Sequence, residues 1–166
     1  MAGSGVRDTD AMKDLLSRRA GPPPRTYGGP PHMQLDQQPD ARTRAQFGRR
    51  FGVLPGVEEL PTEIRFVPGA RALCLSTDMS AGRPEAFIAG REFAHLHALP
   101  DSSLHMVLPE SLATEAVEAG WGELHPLAGT AVPATTLLVY APRDPDEIDV
   151  VLGLLEQSYE FARGAG

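Results

Sequence analysis

Four of the chain's five histidines, His95, His97, His105 and His125, lie between Arg91 and His125 in REFAHLHALPDSSLHMVLPESLATEAVEAGWGELH. Neutral imidazole, with a pKa of about 6.5, can take a proton at pH 7 and return it, so such a cluster can combine a general base with hydrogen-bond donors. It can also hold zinc, iron or manganese, with His95, His97 and His105 as ligands and Glu92 or Glu123 adding a carboxylate. A third reading is structural, the rings hydrogen-bonding only their neighbours. The spacing leaves the three open.

Other residues extend the candidate site. Arg91 and Arg143 each carry a planar fork suited to an anionic or enolate oxygen, with surface ion pairing as the alternative. Trp121, flanked by Gly122, can stack on a planar ligand or plug the end of the core. Tyr140 closes an apolar run, from which its hydroxyl can reach the same pocket. Ser102 and Ser103 read as turn residues, His32 as a solvated loop histidine, and Cys74, the single cysteine, as a small buried hydrophobe. No GxSxG elbow, P-loop, dinucleotide fingerprint or HExxH is present.

These residues need a sheet to hold them. In REFAHLHA, alternation places Phe93, His95 and His97 on one side and Ala94 and Leu96 on the other. LHMVL alternates likewise, with His105 opposite in sense to Leu104 and Met106. A hairpin pairing His97 with His105 brings three imidazoles together, and a one-residue slip separates them. TEIRFV (62–67) and ARALCLS (70–76) flank Pro68-Gly69, a type II turn signature, and read as paired strands. EAFIA (85–89) reads as a short strand and TTLLVY (135–140) as a buried one.

Helices are expected over 40–51, capped by Asp40 with Ala45, Phe47 and Phe51 inward, and over 109–120, with Leu112, Ala116 and Val117 inward and Gly120 ending it. Asp144, Pro145 and Glu147 announce a last helix reaching about Ala162, and 121–126 reads as a compact turn. A short apolar stripe, Met12, Leu15 and Leu16, precedes a Pro/Gly-rich stretch from Gly21 to Pro39, in which His32 and MQLDQ are candidates to dock as an extended arm. The expected architecture is α+β: a mostly antiparallel sheet of five or six strands with two or three helices on one face. Residues 1–40 form a partly disordered arm and 41–164 the domain.

The net charge of −7, from 15 basic and 22 acidic residues, argues against nucleic acid or an anionic membrane as partner. No apolar run approaches a membrane span and no signal peptide is visible, so a cytoplasmic monomer or homodimer with a small-molecule substrate is expected. The Ala, Arg, Gly and Pro richness suggests a GC-rich bacterial source and a role in secondary metabolism.

Four segments, REFAHLH, SLHMVLP, GWGELHPLAG and LVYAPRDPDE, resemble the fungal luciferase family and its bacterial relatives in order and spacing, over about Arg91 to Phe161. MQLDQ resembles a further, weaker motif. The resemblance implies oxidation of a hydroxylated α-pyrone such as 3-hydroxyhispidin by O₂, without an organic cofactor, through a peroxide. It carries His95, His97, His105, His125, Arg91, Trp121 and Arg143 into the site. His32 has no clear counterpart, and the N-terminal membrane anchor of the fungal enzymes is not evident. The expected activity is cofactor-independent oxygenation of an enolisable aromatic or polyketide-like molecule after proton abstraction by histidine. The alternatives are an isomerase or cyclase using the same base, an enzyme holding a divalent transition metal, and a non-catalytic binding module.

Overall fold

The computed structural model describes residues 16–165; Met12 and Leu15 of the N-terminal apolar stripe lie outside them, while Leu16 packs against the core. Strands β1 (Thr26–Tyr27) and β2 (Met33–Gln34) form a small antiparallel hairpin. Helix α1 (Ala41–Arg50) follows, then β3 (Val57–Pro61), β4 (Arg71–Leu75), β5 (Glu92–Leu96), β6 (Leu104–Val107), helix α2 (Glu110–Glu118), β7 (Gly122–Leu124), β8 (Thr136–Val139) and helix α3 (Pro145–Arg163). The six main strands form one antiparallel sheet in the order β3-β4-β5-β6-β8-β7. The architecture is α+β.

The two faces of the sheet differ. Leu73, Ala94, Met106 and Leu137 are successive cross-strand partners and join residues of all three helices in one apolar core. On the other face a second row runs Ala72, His95, His105, Leu138 and Glu123. Helix α3 ends where expected and begins with Asp144 accepting from the Glu147 amide at 2.9 Å. Glu147 departs from a capping box, because its carboxylate receives the Arg143 amide at 2.8 Å. Asp40 caps α1 through the Thr43 amide at 2.7 Å.

Several local expectations shift. The partner of β4 is Val57–Pro61, and TEIRFV is a loop. Pro68-Gly69 does turn the chain, with Gly69 at φ +77° and the Ala70 amide on the Val67 carbonyl at 3.1 Å, but the turn closes that loop rather than joining two strands. The Thr62 amide still donates to the Ala70 carbonyl at 3.3 Å, and beyond it the chain leaves the ladder, with the Thr62 hydroxyl accepting the Ile64 amide and donating to Glu92. EAFIA begins in a 3₁₀ turn because Pro84 and its neighbours favour it, and Ile88 then pairs backbone with Glu92. Residues 122–124 are an edge strand instead of a compact turn. A Cβ at Gly122 would lie 2.4 Å from the Leu138 carbonyl oxygen, so only glycine lets β7 approach here. Ala45 and Val117 are exposed, and Thr43 and Ala113 take the inward positions.

One irregularity matters for the site. Cys74 pairs with Glu92 and Leu73 with Ala94, so Phe93 is an extra residue in β5. This β-bulge resets the alternation. Phe93 turns into the core, its ring 6.1 Å from that of Tyr159, and Glu92 joins the histidine face.

Candidate active site

Strand β5 presents His95, with His97 just beyond its end, and β6 presents His105 on the same face. The register pairs His95 with His105, two residues away from the pairing expected for His97. A two-residue displacement preserves side-chain parity, so the rings still meet. His95 Nε2 and His97 Nε2 each lie 3.0 Å from His105 Nδ1. His125 extends the β7 ladder through its amide on the Thr136 carbonyl, which sets its ring 4.7 Å from that of His105.

The fifth histidine is not the solvated loop residue expected. His32 is buried, with Nδ1 3.0 Å from His105 Nε2 and Nε2 2.7 Å from Glu123. The MQLDQ segment brings it there. Buried Gln34 accepts the Ala141 amide at 2.9 Å and donates to the Asp36 and Gln37 carbonyls, while its own amide reaches Asp101. The arm therefore docks, as its motif suggested, and roofs the histidine face. No local pattern marked His32, because its role depends on a neighbour 73 positions away.

His95 and His97 are each backed by a carboxylate. His95 Nδ1 is 2.6 Å from Glu92, and His97 Nδ1 is 3.0 Å from both Asp101 and the Ser103 hydroxyl. A carboxylate only accepts, so these Nδ1 atoms carry protons and the Nε2 atoms present lone pairs to the cluster. Asp101 and Ser103 are thus site residues rather than turn residues alone. Burial and neighbouring imidazoles hold the His105 pKa well below its ordinary value; burial also lowers that of His95, against the pull of Glu92. At His125, burial with the other histidines brings the pKa to about 4. Asp101 is pushed up by burial, yet its bonds to His97 and Ser103 win and leave it below the usual carboxylate range.

The remaining candidates divide. Glu123 and Tyr140 belong to the site's outer layer: the Tyr140 hydroxyl donates to Glu123 at 3.2 Å, and burial beside that carboxylate raises the phenol pKa. Arg91 does not, since its guanidinium donates to the carbonyls of Leu75, Ser76 and Met79. Arg143 also lies apart, donating to Glu147, Gln37 and the Ala20 carbonyl and so clamping the N-terminal segment to α3. Trp121 is a core plug whose indole donates to the Ser17 carbonyl at 2.8 Å. These three correct the expected substrate-binding and oxyanion roles. None of them lines the cavity.

That cavity has a volume of about 420 Å³. His32, His95, His105 and His125 line one side, while Ile64, Phe66, Val67, Ile88 and Leu127 form apolar walls and 28–31 the rim. His97 and Asp101 border a smaller neighbouring cavity of about 230 Å³, which shares His32 and Phe66. The TEIRFV loop is therefore a cavity wall.

The family model described as "Luciferase domain" matches residues 90–158, the span that carries β5, β6, β7 and β8 with four of the histidines. By this match residues 90–158 carry a luciferase domain. The chain is 31% identical over 162 residues to the luciferases of Armillaria ostoyae and Armillaria gallica, covering 88% of this chain and 60% of each relative. The luciferase of Neonothopanus nambi is 41% identical over 74 residues, which are 43% of this chain and 28% of that protein. The chain thus spans about three-fifths of the length of the Armillaria luciferases it matches. These relatives are fungal and lend no support to the bacterial source that composition suggested. No solved structure matches. Among the described residues no helix is long and apolar enough to cross a membrane.

Proposed function

We propose that this luciferase-domain chain is an oxygenase acting on a small, planar, enolisable molecule of the hydroxypyrone or hydroxyquinone type. The observation that carries this reading is the cavity: about 420 Å³, within the size range of small-molecule sites, with imidazoles on one side and apolar walls on the others. The name "luciferase" carried by the fungal relatives supports an oxidative reaction.

His95 lines the cavity, and with Nδ1 held by Glu92 its Nε2 lone pair is the atom that takes the enol proton. Glu92 orients the ring and stabilises the imidazolium. His125 accepts the Leu127 amide on Nδ1 at 3.0 Å, so its Nε2 carries the proton and donates to the enolate oxygen. The electron-rich carbon then adds O₂: one C–O bond forms, two electrons pass from the enolate to oxygen, and the terminal peroxide oxygen recovers the proton from His95. Substrate plus O₂ gives a hydroperoxide, with atoms and charge conserved and no organic cofactor invoked.

O₂ uptake with a hydroxypyrone or hydroxyquinone tests the reading. Uptake is expected for the wild type and should fall about 100-fold or more in His95→Ala. Full activity in both His95→Ala and His97→Ala overturns the site. Turnover without O₂ uptake replaces oxygenation by isomerisation or cyclisation at the same base.

A further inference from the structure

The inner cluster has more converging nitrogens than a proton can serve. His95 and His97 commit their Nδ1–H groups to Glu92 and Asp101, so both aim Nε2 lone pairs at His105 Nδ1 from 3.0 Å. One N–H on His105 can satisfy only one of them, and the rings are buried. A cation satisfies all three. The three ligating atoms lie within 4.8 Å of one another. Bonds of about 2.1 Å place such nitrogens about 3.0–3.4 Å apart at octahedral to tetrahedral angles, close to the spacing observed.

We infer that His95 Nε2, His97 Nε2 and His105 Nδ1 bind one divalent first-row transition metal ion, with its open positions toward the cavity. Imidazole ligands favour zinc, iron(II), copper or nickel over magnesium or calcium. The proton count supports this choice of atoms. With Nδ1 on the ion, His105 donates Nε2–H to His32 Nδ1, and His32 donates Nε2–H to Glu123. Every ligand is then backed by a carboxylate, Glu92, Asp101 or, through His32, Glu123, the arrangement that fixes tautomer and ring orientation at metal sites.

A second triad, His32, His105 and His125, has comparable spacing but the wrong protons. His125 accepts the Leu127 amide on Nδ1, which leaves a proton on the Nε2 that would have to ligate. The inner triad is therefore the site. The inference rests on the proposed function only for taking this cluster as the reaction centre. Holding the ion would make His95 a ligand rather than the base, and the ion would supply Lewis-acid stabilisation of an enolate oxygen.

The ion is read without substrate. Untagged full-length protein is stripped with a chelator and titrated with Zn²⁺ by calorimetry and with Co²⁺ by visible absorption. One equivalent per chain is expected, with Co²⁺ giving the ligand-field bands of a nitrogen-ligated site. His97→Ala should weaken binding at least tenfold, and Glu92→Gln and Asp101→Asn by about 10–100-fold. His125→Ala should keep one equivalent. The glutamine and asparagine variants preserve side-chain shape, so they report on the site if the alanine variant does not fold. Less than about a tenth of an equivalent in folded wild type, or binding lost in His125→Ala and kept in His97→Ala, overturns the inference. Metal binding without O₂ uptake leaves the ion and removes the oxygenase; O₂ uptake by stripped protein that binds no metal does the reverse.

Discussion

The sheet has one strand set and two chemistries. Its helix-covered face carries Leu73, Phe93, Ala94, Met106 and Leu137 in a closed apolar core, while its other face carries Glu92, His95, His105 and Glu123 under the docked arm. Both faces are buried, yet burial does opposite things on them. On the core face it removes apolar area from water and stabilises the fold. On the histidine face it depresses imidazole pKa values and leaves polar atoms dependent on one another for partners. The teaching is that one strand, β5, serves both because a single extra residue at Phe93 switches its parity.

Substitutions on the two faces should separate catalysis from stability. His95→Ala is expected to lower O₂ uptake about 100-fold or more while circular dichroism shows the fold retained; an unfolded protein would make the histidine face structural. Phe93→Ala should lower unfolding free energy by about 3–5 kcal/mol in denaturant titration, because the ring lies in the core against Tyr159. A small loss there would mean that the bulge does not direct Phe93 inward. Glu123→Gln keeps the side chain's size but removes the charge facing His32, and about a tenfold fall in turnover is expected.

The smallest effects lie at the margins of the two faces. Asp144→Ala should cost about 1 kcal/mol through loss of the α3 cap and leave turnover unchanged, as it is remote from the cavity. Cys74 pairs with Glu92 at the edge of the polar face, and burial together with that carboxylate pushes its thiol up to about 11. The thiolate is the reactive form, so alkylation is expected to be slow at pH 8 and to rise with pH, reaching half its maximum near 11. Fast labelling at pH 8 would show β4 to be more open around Cys74 than described.

Much of the fold was legible because its signals are local. The caps at Asp40 and Asp144, the apolar period of α3, the alternation in β6 and the Pro68-Gly69 turn each act within a few residues and appear where expected. The strand paired with β4 was misplaced because turn chemistry locates a reversal without saying how far the ladder runs beyond it. Where that ladder ends, the Thr62 hydroxyl meets Glu92, a residue 30 positions on. The arginines depart from expectation for a related reason: a guanidinium is suited to an anion, but Arg91 meets backbone carbonyls and Arg143 meets Glu147.

The histidines divide along the same line. By itself the sequence determined that His95 and His97 share a face and that His105 joins them in any register of the right parity, because strand alternation is a property of the backbone and survives a two-residue change in register. Only the tertiary structure decided that His32 and Glu123 complete a hydrogen-bonded chain with them, that Glu92 turns toward His95 and that Arg91, Trp121 and Arg143 stay outside. Those outcomes depend on a bulge, a docked arm and partners distant in the chain, and hydrogen bonds of that range leave no period in the sequence to read.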